Sequence, residues 1–212
     1  MSIKIAFNID ILTSIIYNSI MKTPMFTDIV WNTSFVTNLK DYCDFVRKHN
    51  PTSRILTNEG GYQSDNLILT EPLLQPLIQF LTSETSKYSS YFHLKHNQFK
   101  VENMWINING YKDYNTEHTH FDNKALFSGV YYVQTPKNCG NIEFIKSNYH
   151  TMAVWAVNMR NDSNNFNSAS WFLPAEQHKC YIFPSYYIHR VQPNLNPNEK
   201  RYSISFNLSL NP

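Results

Sequence analysis

Two histidines separated by one residue, His118 and His120, and a third far downstream, His189, form the pattern in this sequence with the clearest chemistry. The residues around them alternate as they do in strands, where positions i and i+2 point to the same face. His118 and His120, or alternatively His120 and Asp122, would then aim at one point and share it with a ligand from a distant strand. Such a facial site with open positions is typical of non-haem Fe(II) centres. The alternative is a surface loop and an ordinary strand histidine.

A second group with binding chemistry opens the last predicted strand, twelve positions after His189. Arg201 and Ser203 share one face of that strand. A guanidinium fork beside a hydroxyl is a good receptor for a carboxylate, because the planar fork can bond both oxygens. A surface salt bridge is the alternative role for Arg201.

The order of these motifs resembles the 2-oxoglutarate and Fe(II)-dependent dioxygenases, and within them a group of 2-oxoglutarate oxygenases common in marine bacteria and phages. The resemblance covers about residues 25–210. Each matching stretch is short, but their order and spacing together are specific. The stretches are NEGGYQS at 58–64, WIN at 105–107, HTH at 118–120, SGVYYV at 128–133, FPS at 183–185, HRV at 189–191 and RYSISFN at 201–207.

The resemblance implies Fe(II) and 2-oxoglutarate as cofactors. In the wider superfamily the first two ligands form H-x-D, whereas the narrower group tends to have H-x-H followed by proline, a place that Phe121 takes here. The distance from the preceding strand favours His118, so the expected ligands are His118, His120 and His189. Asp122 is the alternative ligand, since His120-Phe121-Asp122 is itself an H-x-D; otherwise it orients a histidine ring or lies in a turn.

The resemblance also implies that Arg201 binds the distal carboxylate of 2-oxoglutarate with help from Ser203 and Tyr132, and that Asn107 contacts the same molecule. A core aromatic and a structural amide are the alternative roles of Tyr132 and Asn107. The resemblance implies that the protein is an enzyme, a dioxygenase that hydroxylates an unidentified substrate and decarboxylates 2-oxoglutarate to succinate. Two alternatives stay open: a three-histidine cupin-like dioxygenase that needs no 2-oxoglutarate, and a jelly-roll binding protein without activity.

Two helices are predicted before the strands begin. The stretch 32–34 offers N-cap chemistry after a predicted edge strand at 25–31, and a helix is expected over about 34–49, ended at Asn50-Pro51. A second helix is expected from Glu71-Pro72 and is ended by the polar stretch 83–90. The apolar stripe of the first helix is expected to face the core, and it consists of Phe35, Leu39, Tyr42, Phe45 and Val46.

From about residue 99 the pattern changes to period two, with Trp105 and Asn107 on one face of the first strand. Many short strands predict a mainly β fold with flanking helices, a double-stranded β-helix of the jelly-roll, cupin-like kind. We expect a single domain over 1–212, with 1–98 as a helical support and 99–211 as the jelly-roll core. The later strands are predicted at 126–134, 141–145, 151–157, 170–173, 179–183, 188–192 and 201–210.

Three further stretches have predicted roles. Residues 3–17 are expected to form a short strand or helix, and 57–64 a loop near the site mouth with Gly60-Gly61. The polar stretch 158–169 is expected to be either a substrate-covering lid or a floppy insertion. The many asparagines are interpreted as genomic bias more than function.

The composition of the chain limits which binding partners and which cellular location are expected. A net charge of +2 makes nucleic acid an unexpected partner, and neither a signal peptide nor a membrane span is predicted. Three cysteines without paired spacing argue against a disulfide framework, so a cytoplasmic location is expected, in the host cell if a phage encodes the chain. The expected substrate is a small molecule or a protein side chain, and a homodimer is left open.

Overall fold

Strands carry most of the chain in the computed structural model, which describes residues 28–121, 125–146, 164 and 168–211. Two α-helices precede most of the strands, α1 (Lys40–His49) and α2 (Gln75–Ser89), and short 3-10 turns flank α2 at Pro72–Leu74 and Ser90–Phe92. The described strands are β1 (Trp31–Ser34), β2 (Asn58–Glu59), β3 (Tyr62–Gln63), β4 (Phe99–Asn109), β5 (Tyr114–His118), β6 (Phe127–Gln134), β7 (Ile142–Ile145), β8 (Ser170–Leu173), β9 (Lys179–Pro184), β10 (Ile188–Val191) and β11 (Arg201–Leu210).

The strands form two antiparallel sheets. The larger sheet has the order β1-β9-β6-β11-β4-β3, and the smaller has the order β2-β5-β10-β7-β8. Most strands that follow one another in the chain lie in different sheets, as β9, β10 and β11 do, whereas β3 and β4 share the larger sheet and β7 and β8 the smaller. The predicted class, mainly β with a jelly-roll core and few helices, is confirmed.

The main core lies on the outer face of the larger sheet, beneath the helices. On β4 the residues Met104, Ile106 and Ile108 are buried, and they form one cluster with Leu77 and Leu81 of α2. The neighbouring residues of β4 face the other way, toward the space between the sheets, because side chains alternate along a strand. The helices therefore hold the larger sheet from behind and leave its inner face free for a site.

The start of the first helix differs from the prediction. Residues Trp31–Ser34 pair with β9 as an edge strand instead of capping a helix, so α1 begins only at Lys40 and Leu39 is its N-cap residue. Trp31 stacks on Tyr88, with 5.8 Å between the ring centroids. Long-range pairing therefore outweighed the local capping signal. Phe45, predicted to face the core, is 58% exposed, whereas the predicted end of the helix is correct.

The second helix runs further than predicted, and the buried Glu84 in its polar stretch has hydrogen-bond partners. The stretch 83–90 was expected to end it, yet α2 continues to Ser89. Glu84 lies within this stretch and accepts hydrogen bonds from Trp31 Nε1 at 2.9 Å and from Lys87 Nζ at 2.5 Å. Polar residues that find such partners are compatible with a buried helical face.

The predicted loop 57–64 contains two short strands, β2 in the smaller sheet and β3 in the larger. Gly60 and Gly61 between them both have positive φ, 69° and 64°, which other residues rarely adopt. The two glycines thus let the chain step from one sheet to the other. The domain division at residue 98 stays a proposal, although strands from before and after that boundary share both sheets.

Several predictions fall on residues that the structure does not describe. These are the N-terminal element at 3–17, the strand at 151–157 and nearly all of the proposed lid at 158–169. Among the described helices, none combines the length and the apolar character needed to cross a bilayer.

Candidate metal and cosubstrate site

Three histidines meet between the two sheets. Strand β10 pairs with β5 so that His189 lies directly opposite His118. His120 lies two residues beyond the end of β5, where its backbone N–H donates to Ser185 O at 2.8 Å. The ring centroids are separated by 4.3 Å for His118 and His189, 5.0 Å for His118 and His120, and 5.2 Å for His120 and His189. One ligand atom from each residue lies within 4.8 Å of the others, as a shared metal ion requires.

Backbone carbonyls orient two of the rings. Nδ1 of His118 lies 2.7 Å from Thr116 O, and Nδ1 of His189 lies 2.9 Å from Tyr187 O. A carbonyl can only accept, so each Nδ1 must carry the proton and each Nε2 keeps its lone pair. Metal-binding histidines commonly have this arrangement, in which the second ring nitrogen donates to a carbonyl or carboxylate.

Burial keeps these imidazoles in the form that binds metal. It lowers the pKa of His118 from its ordinary value. For His189, burial first and then the neighbouring rings of His118 and His120 hold the pKa well below the ordinary value. Neutral imidazole is the ligand form, so the site needs little deprotonation to accept a cation near neutral pH. Asp122, the alternative ligand, lies outside the described residues.

The predicted cosubstrate residues lie side by side on the larger sheet. Ser203 of β11 is directly opposite Asn107 of β4 on one side and Tyr132 of β6 on the other. Arg201 lies two residues earlier on the same face of β11, opposite Asn109. These four predicted residues, distant in sequence, are therefore brought together by the register of three adjacent strands, and all are buried.

Arg201 is a buried cation whose described hydrogen-bond partners are neutral. Its side chain is 1% exposed, and burial lowers its pKa from the ordinary value. Its Nη1 donates to the backbone carbonyls of Cys139 and Gln192, both neutral acceptors. No described salt bridge includes Arg201, although a buried guanidinium normally has an anionic partner.

Unsatisfied polar atoms test whether 2-oxoglutarate fits here. Buried polar atoms without a partner are rare in folded proteins and need an explanation. In the described part of the chain, four buried side-chain atoms lack one, and three of them are Arg201 Nη2, Tyr132 Oη and Asn107 Oδ1. The fourth, Thr85 Oγ1, lies on α2. Arg201 Nη2 and the Tyr132 hydroxyl are the donors that a carboxylate needs, so these residues fit the cosubstrate.

A cavity of about 380 Å³ connects the two groups. Its lining includes the three histidines together with Tyr132, Ser203 and Asn107, while Arg201 lies beside this lining. Sequence reasoning missed much of the remaining wall, which includes Asn66, Asn103, Asn109, Asn115 and Asn207. The alternation along β4, which placed Trp105 and Asn107 on one face, was the signal that could have found Asn103 and Asn109.

A wider groove of about 1170 Å³ contains none of the predicted site residues. Its lining includes Cys139 and Gln192, whose carbonyls accept from Arg201, and the ion pair between Arg190 and Glu143, in which Nε and Oε2 are 2.9 Å apart. The guanidinium of Arg190 is the main cause that lowers the pKa of the Glu143 carboxyl. This acid is therefore already paired, and the groove adds nothing to the metal site.

Solved structures share this fold at low sequence identity. A Pseudomonas putida prolyl-4-hydroxylase superposes with a TM-score of 0.61 at 10% identity, covering 88% of this chain and 95% of that one. A viral collagen prolyl hydroxylase from Paramecium Bursaria Chlorella virus-1 gives 0.54 at 11% identity, with 84% and 94% covered. The epimerase SnoN from nogalamycin biosynthesis gives 0.56 at 12% identity, with 86% and 78% covered. These matches show the double-stranded β-helix fold.

Sequence comparison supplies the family. No curated protein sequence matches the chain. The model of the family described as "Putative 2OG-Fe(II) oxygenase" matches residues 103–207, which include the three clustered histidines and all four predicted cosubstrate residues. This segment matches the family of the 2OG-Fe(II) oxygenases, oxidoreductases that use Fe(II) and 2-oxoglutarate as cofactors.

Proposed function

We propose that this oxygenase is a dioxygenase that hydroxylates its substrate while 2-oxoglutarate is decarboxylated to succinate, with His118, His120 and His189 as the iron ligands. The observation that carries the proposal is the convergence of the three imidazoles within 4.8 Å. The hydrogen bonds that fix Nε2 of His118 and His189 as the free nitrogens support it. When bound, Fe(II) together with 2-oxoglutarate supplies the activation of oxygen, and the protein supplies position and shielding.

Arg201, Ser203 and Tyr132 would hold the distal carboxylate. Arg201 has an unused Nη2 donor, and Tyr132 has an unused hydroxyl in the same buried layer. Burial raises the pKa of Tyr132, so its hydroxyl keeps the proton that it donates. The binding of a carboxylate would give the guanidinium the counter-charge that its surroundings lack. Part of the binding free energy of the distal carboxylate therefore comes from pairing a buried guanidinium that has no anionic partner in the free protein.

Asn107 needs one adjustment to serve the same ligand. Its Nδ2 donates to Ser205 Oγ at 3.0 Å, and its Oδ1, an acceptor, is the unsatisfied atom. An acceptor would repel a carboxylate. Because the Ser205 hydroxyl can also donate, rotating the carboxamide by half a turn lets Oδ1 accept from Ser205 and presents Nδ2 to the ligand.

The substrate proposal is a small molecule or a protein side chain. Structures with this fold include two prolyl hydroxylases, one of them described as a collagen prolyl hydroxylase, and an epimerase from the biosynthesis of nogalamycin. The fold is therefore found with both kinds of substrate, and only the cavity of this chain can distinguish them.

The test is succinate formation without added substrate. Protein loaded with Fe(II) and given 2-oxoglutarate should form succinate slowly, and His120→Ala should abolish both this activity and stoichiometric binding of metal, measured by elemental analysis. His49→Ala is the matched control, since His49 is an exposed residue at the end of α1. Metal retained at full stoichiometry in His120→Ala, or succinate formed by that variant at the parent rate, would refute the ligand assignment.

A further inference from the structure

The pairing of β11 with β4 defines successive levels on the inner face of the larger sheet, and the first four, counted from Arg201, lie at the cavity. Arg201 lies opposite Asn109, Ser203 opposite Asn107, Ser205 opposite Trp105, and Asn207 opposite Asn103. The first two levels hold the residues proposed for 2-oxoglutarate. At the third level, the ring centroid of Trp105 lies 5.7 Å from that of His120, so this is the level of the histidines. The fourth level lies beyond the histidines as seen from Arg201.

A hydrogen-bonded chain fixes the side chains of this fourth level. The Ser128 hydroxyl donates to Asn207 Oδ1 at 2.7 Å, and Asn207 Nδ2 donates to Asn103 Oδ1 at 2.9 Å. Both oxygens are therefore used, and the amide nitrogen of Asn103 is the donor left over at the end of the chain. The described residues give this nitrogen no partner, and Asn103 lines the cavity. A donor held in place by two further residues is a preorganised binding group.

The cavity lining is polar but nearly without charge. Among the described residues it contains seven carboxamides and no aspartate, glutamate or lysine. The exception, Arg54, has its Nε 3.9 Å from Asp65 Oδ1 and so already faces an acid. An ionised group that leaves water needs a counter-charge or several hydrogen bonds. The lining thus disfavours a cationic substrate and gives an anionic one little compensation beyond the groups proposed for 2-oxoglutarate.

We propose that Trp105 and Asn103 form the substrate subsite of this oxygenase and that it takes an uncharged amide, whose carbonyl accepts from Asn103 Nδ2 while an adjoining aliphatic group lies on the Trp105 ring. This inference rests on the proposed function, since the levels are ordered by the iron and 2-oxoglutarate positions. An amide carbonyl is a strong neutral acceptor, and the indole face is suited to C–H groups. The aliphatic carbon on Trp105 would then lie beside His120 and the metal.

The size of the cavity limits what enters. Its volume of about 380 Å³ is shared with 2-oxoglutarate. Ligand sites for drug-sized molecules span roughly 300–1,000 Å³, so this one is near the lower end. The part of the substrate that reaches the metal is therefore about the size of one capped residue, whether it belongs to a small amide or to a peptide chain.

Binding to the Zn(II)-loaded protein with 2-oxoglutarate present tests the substrate class without turnover. The probes are aliphatic amino acids in three forms: free, capped as N-acetyl N-methylamides, and within capped five-residue peptides. Ligand-observed NMR should show binding of capped forms and at least tenfold weaker binding of free amino acids. Tighter binding of the peptides than of single capped residues identifies a peptide substrate, and equal binding identifies a small amide; both outcomes support the neutral-amide subsite.

The decisive variant is Asn103→Asp, because aspartate keeps an oxygen that accepts from Asn207 and replaces the Nδ2 donor with an ionised oxygen that can only accept. We expect capped probes to bind at least about tenfold more weakly, because their carbonyl loses its donor and faces an ionised acceptor. Asn198→Asp, the same change in an exposed loop, is the control. Asn103→Ala gives a second measure if aspartate disturbs the local structure, which the melting temperature reports.

The outcomes separate this proposal from the function on which it rests. Capped probes that fail to bind, free amino acids that bind as well, or Asn103→Asp binding at the parent affinity would each overturn the subsite. If those results came with normal formation of succinate from 2-oxoglutarate, the proposed function would stand and only the subsite would fall. Absence of succinate in the parent protein would instead remove the function itself.

Discussion

Replacement of Arg201 by methionine tests how much of the binding of 2-oxoglutarate depends on one buried cation. Methionine has a similar length and no charge, so the variant removes the guanidinium without a large cavity. Two effects on the protein without ligand oppose each other. The carbonyls of Cys139 and Gln192 lose their donor, at about 1–3 kcal/mol each, while a buried cation without an anionic partner is removed, which is stabilising by several kcal/mol.

In the complex with 2-oxoglutarate, the substitution can only weaken binding of the ligand. A hydrogen bond to a charged group contributes about 1.5–3 kcal/mol, which corresponds to a loss of roughly 10–150-fold in affinity. At a 2-oxoglutarate concentration of 100 Kd, the parent protein gains about 2.7 kcal/mol from the ligand by mass action. If the affinity falls about 100-fold, the same concentration gives only about 0.4 kcal/mol. For a chain of 212 residues these gains correspond to shifts in Tm of about 5–10 °C and about 1–2 °C.

Thermal unfolding with Mn(II), with and without 2-oxoglutarate, measures this increment. Arg190→Met is the matched control, because Arg190 lies on β10 outside the cavity lining and pairs with Glu143. The control should lose stability in both conditions and keep the increment. If Arg201→Met kept the full 2-oxoglutarate increment, the carboxylate would not bind at Arg201, and the three-histidine dioxygenase that needs no 2-oxoglutarate would become the better hypothesis.

Two further perturbations have outcomes fixed by the structure. The pKa values of His118 and His189 are lowered in the folded protein, so below about pH 6.5 the unfolded chain binds protons that the folded one does not. The free energy of unfolding of the metal-free protein should therefore decrease as the pH is lowered, by up to about 1.4 kcal/mol per pH unit for each histidine. Urea unfolding at pH 7.5, 6.5 and 5.5 measures it; His189→Asn should flatten the dependence, and an unchanged slope would contradict the assignment. Gly129→Ala should destabilise by about 1–3 kcal/mol or more, because its Cβ would lie 2.4 Å from Tyr181 O and from the Phe206 ring. Gly110→Ala, whose Cβ meets only the Asp113 carboxylate at 3.2 Å, is the mild control, and equal losses in the two variants would show that this close packing is not the cause.

Local signals predicted the strands that alternate cleanly between turns. The prediction for 201–210 and that for 170–173 agree with β11 and β8 residue for residue. The start of α1 could not be predicted in this way, because the residues at 31–34 had both capping and strand character and their pairing with β9 decided between them. Such pairing joins segments about 150 residues apart, and no local pattern encodes it.

The histidines show the same limit at the site. Spacing could predict that His118 and His120 share a point, but not that β10 would place His189 opposite His118. The order of motifs supplied that expectation through the family resemblance, not through physics. What the motifs did not contain is the set of carbonyls that orient the rings, since any residue at positions 116 and 187 offers the same backbone oxygen.

The asparagines of the cavity could be predicted in part from the position of one of them, Asn107. Interpreted from composition, their abundance looked like genomic bias, yet six asparagines line the cavity. Once Asn107 is placed on the inner face, alternation assigns Asn103 and Asn109 to the same face and Met104, Ile106 and Ile108 to the core. The rule then fails one step further on, because Asn207 pairs with Asn103 but Leu208 pairs with Val101, so the register skips Glu102. Because of this irregularity, the Val101 side chain packs in the core, although simple alternation from Asn103 would have placed it on the cavity face. Asn103 is therefore the first residue of β4 that lines the cavity, and the β4 residues before it do not contribute to the lining.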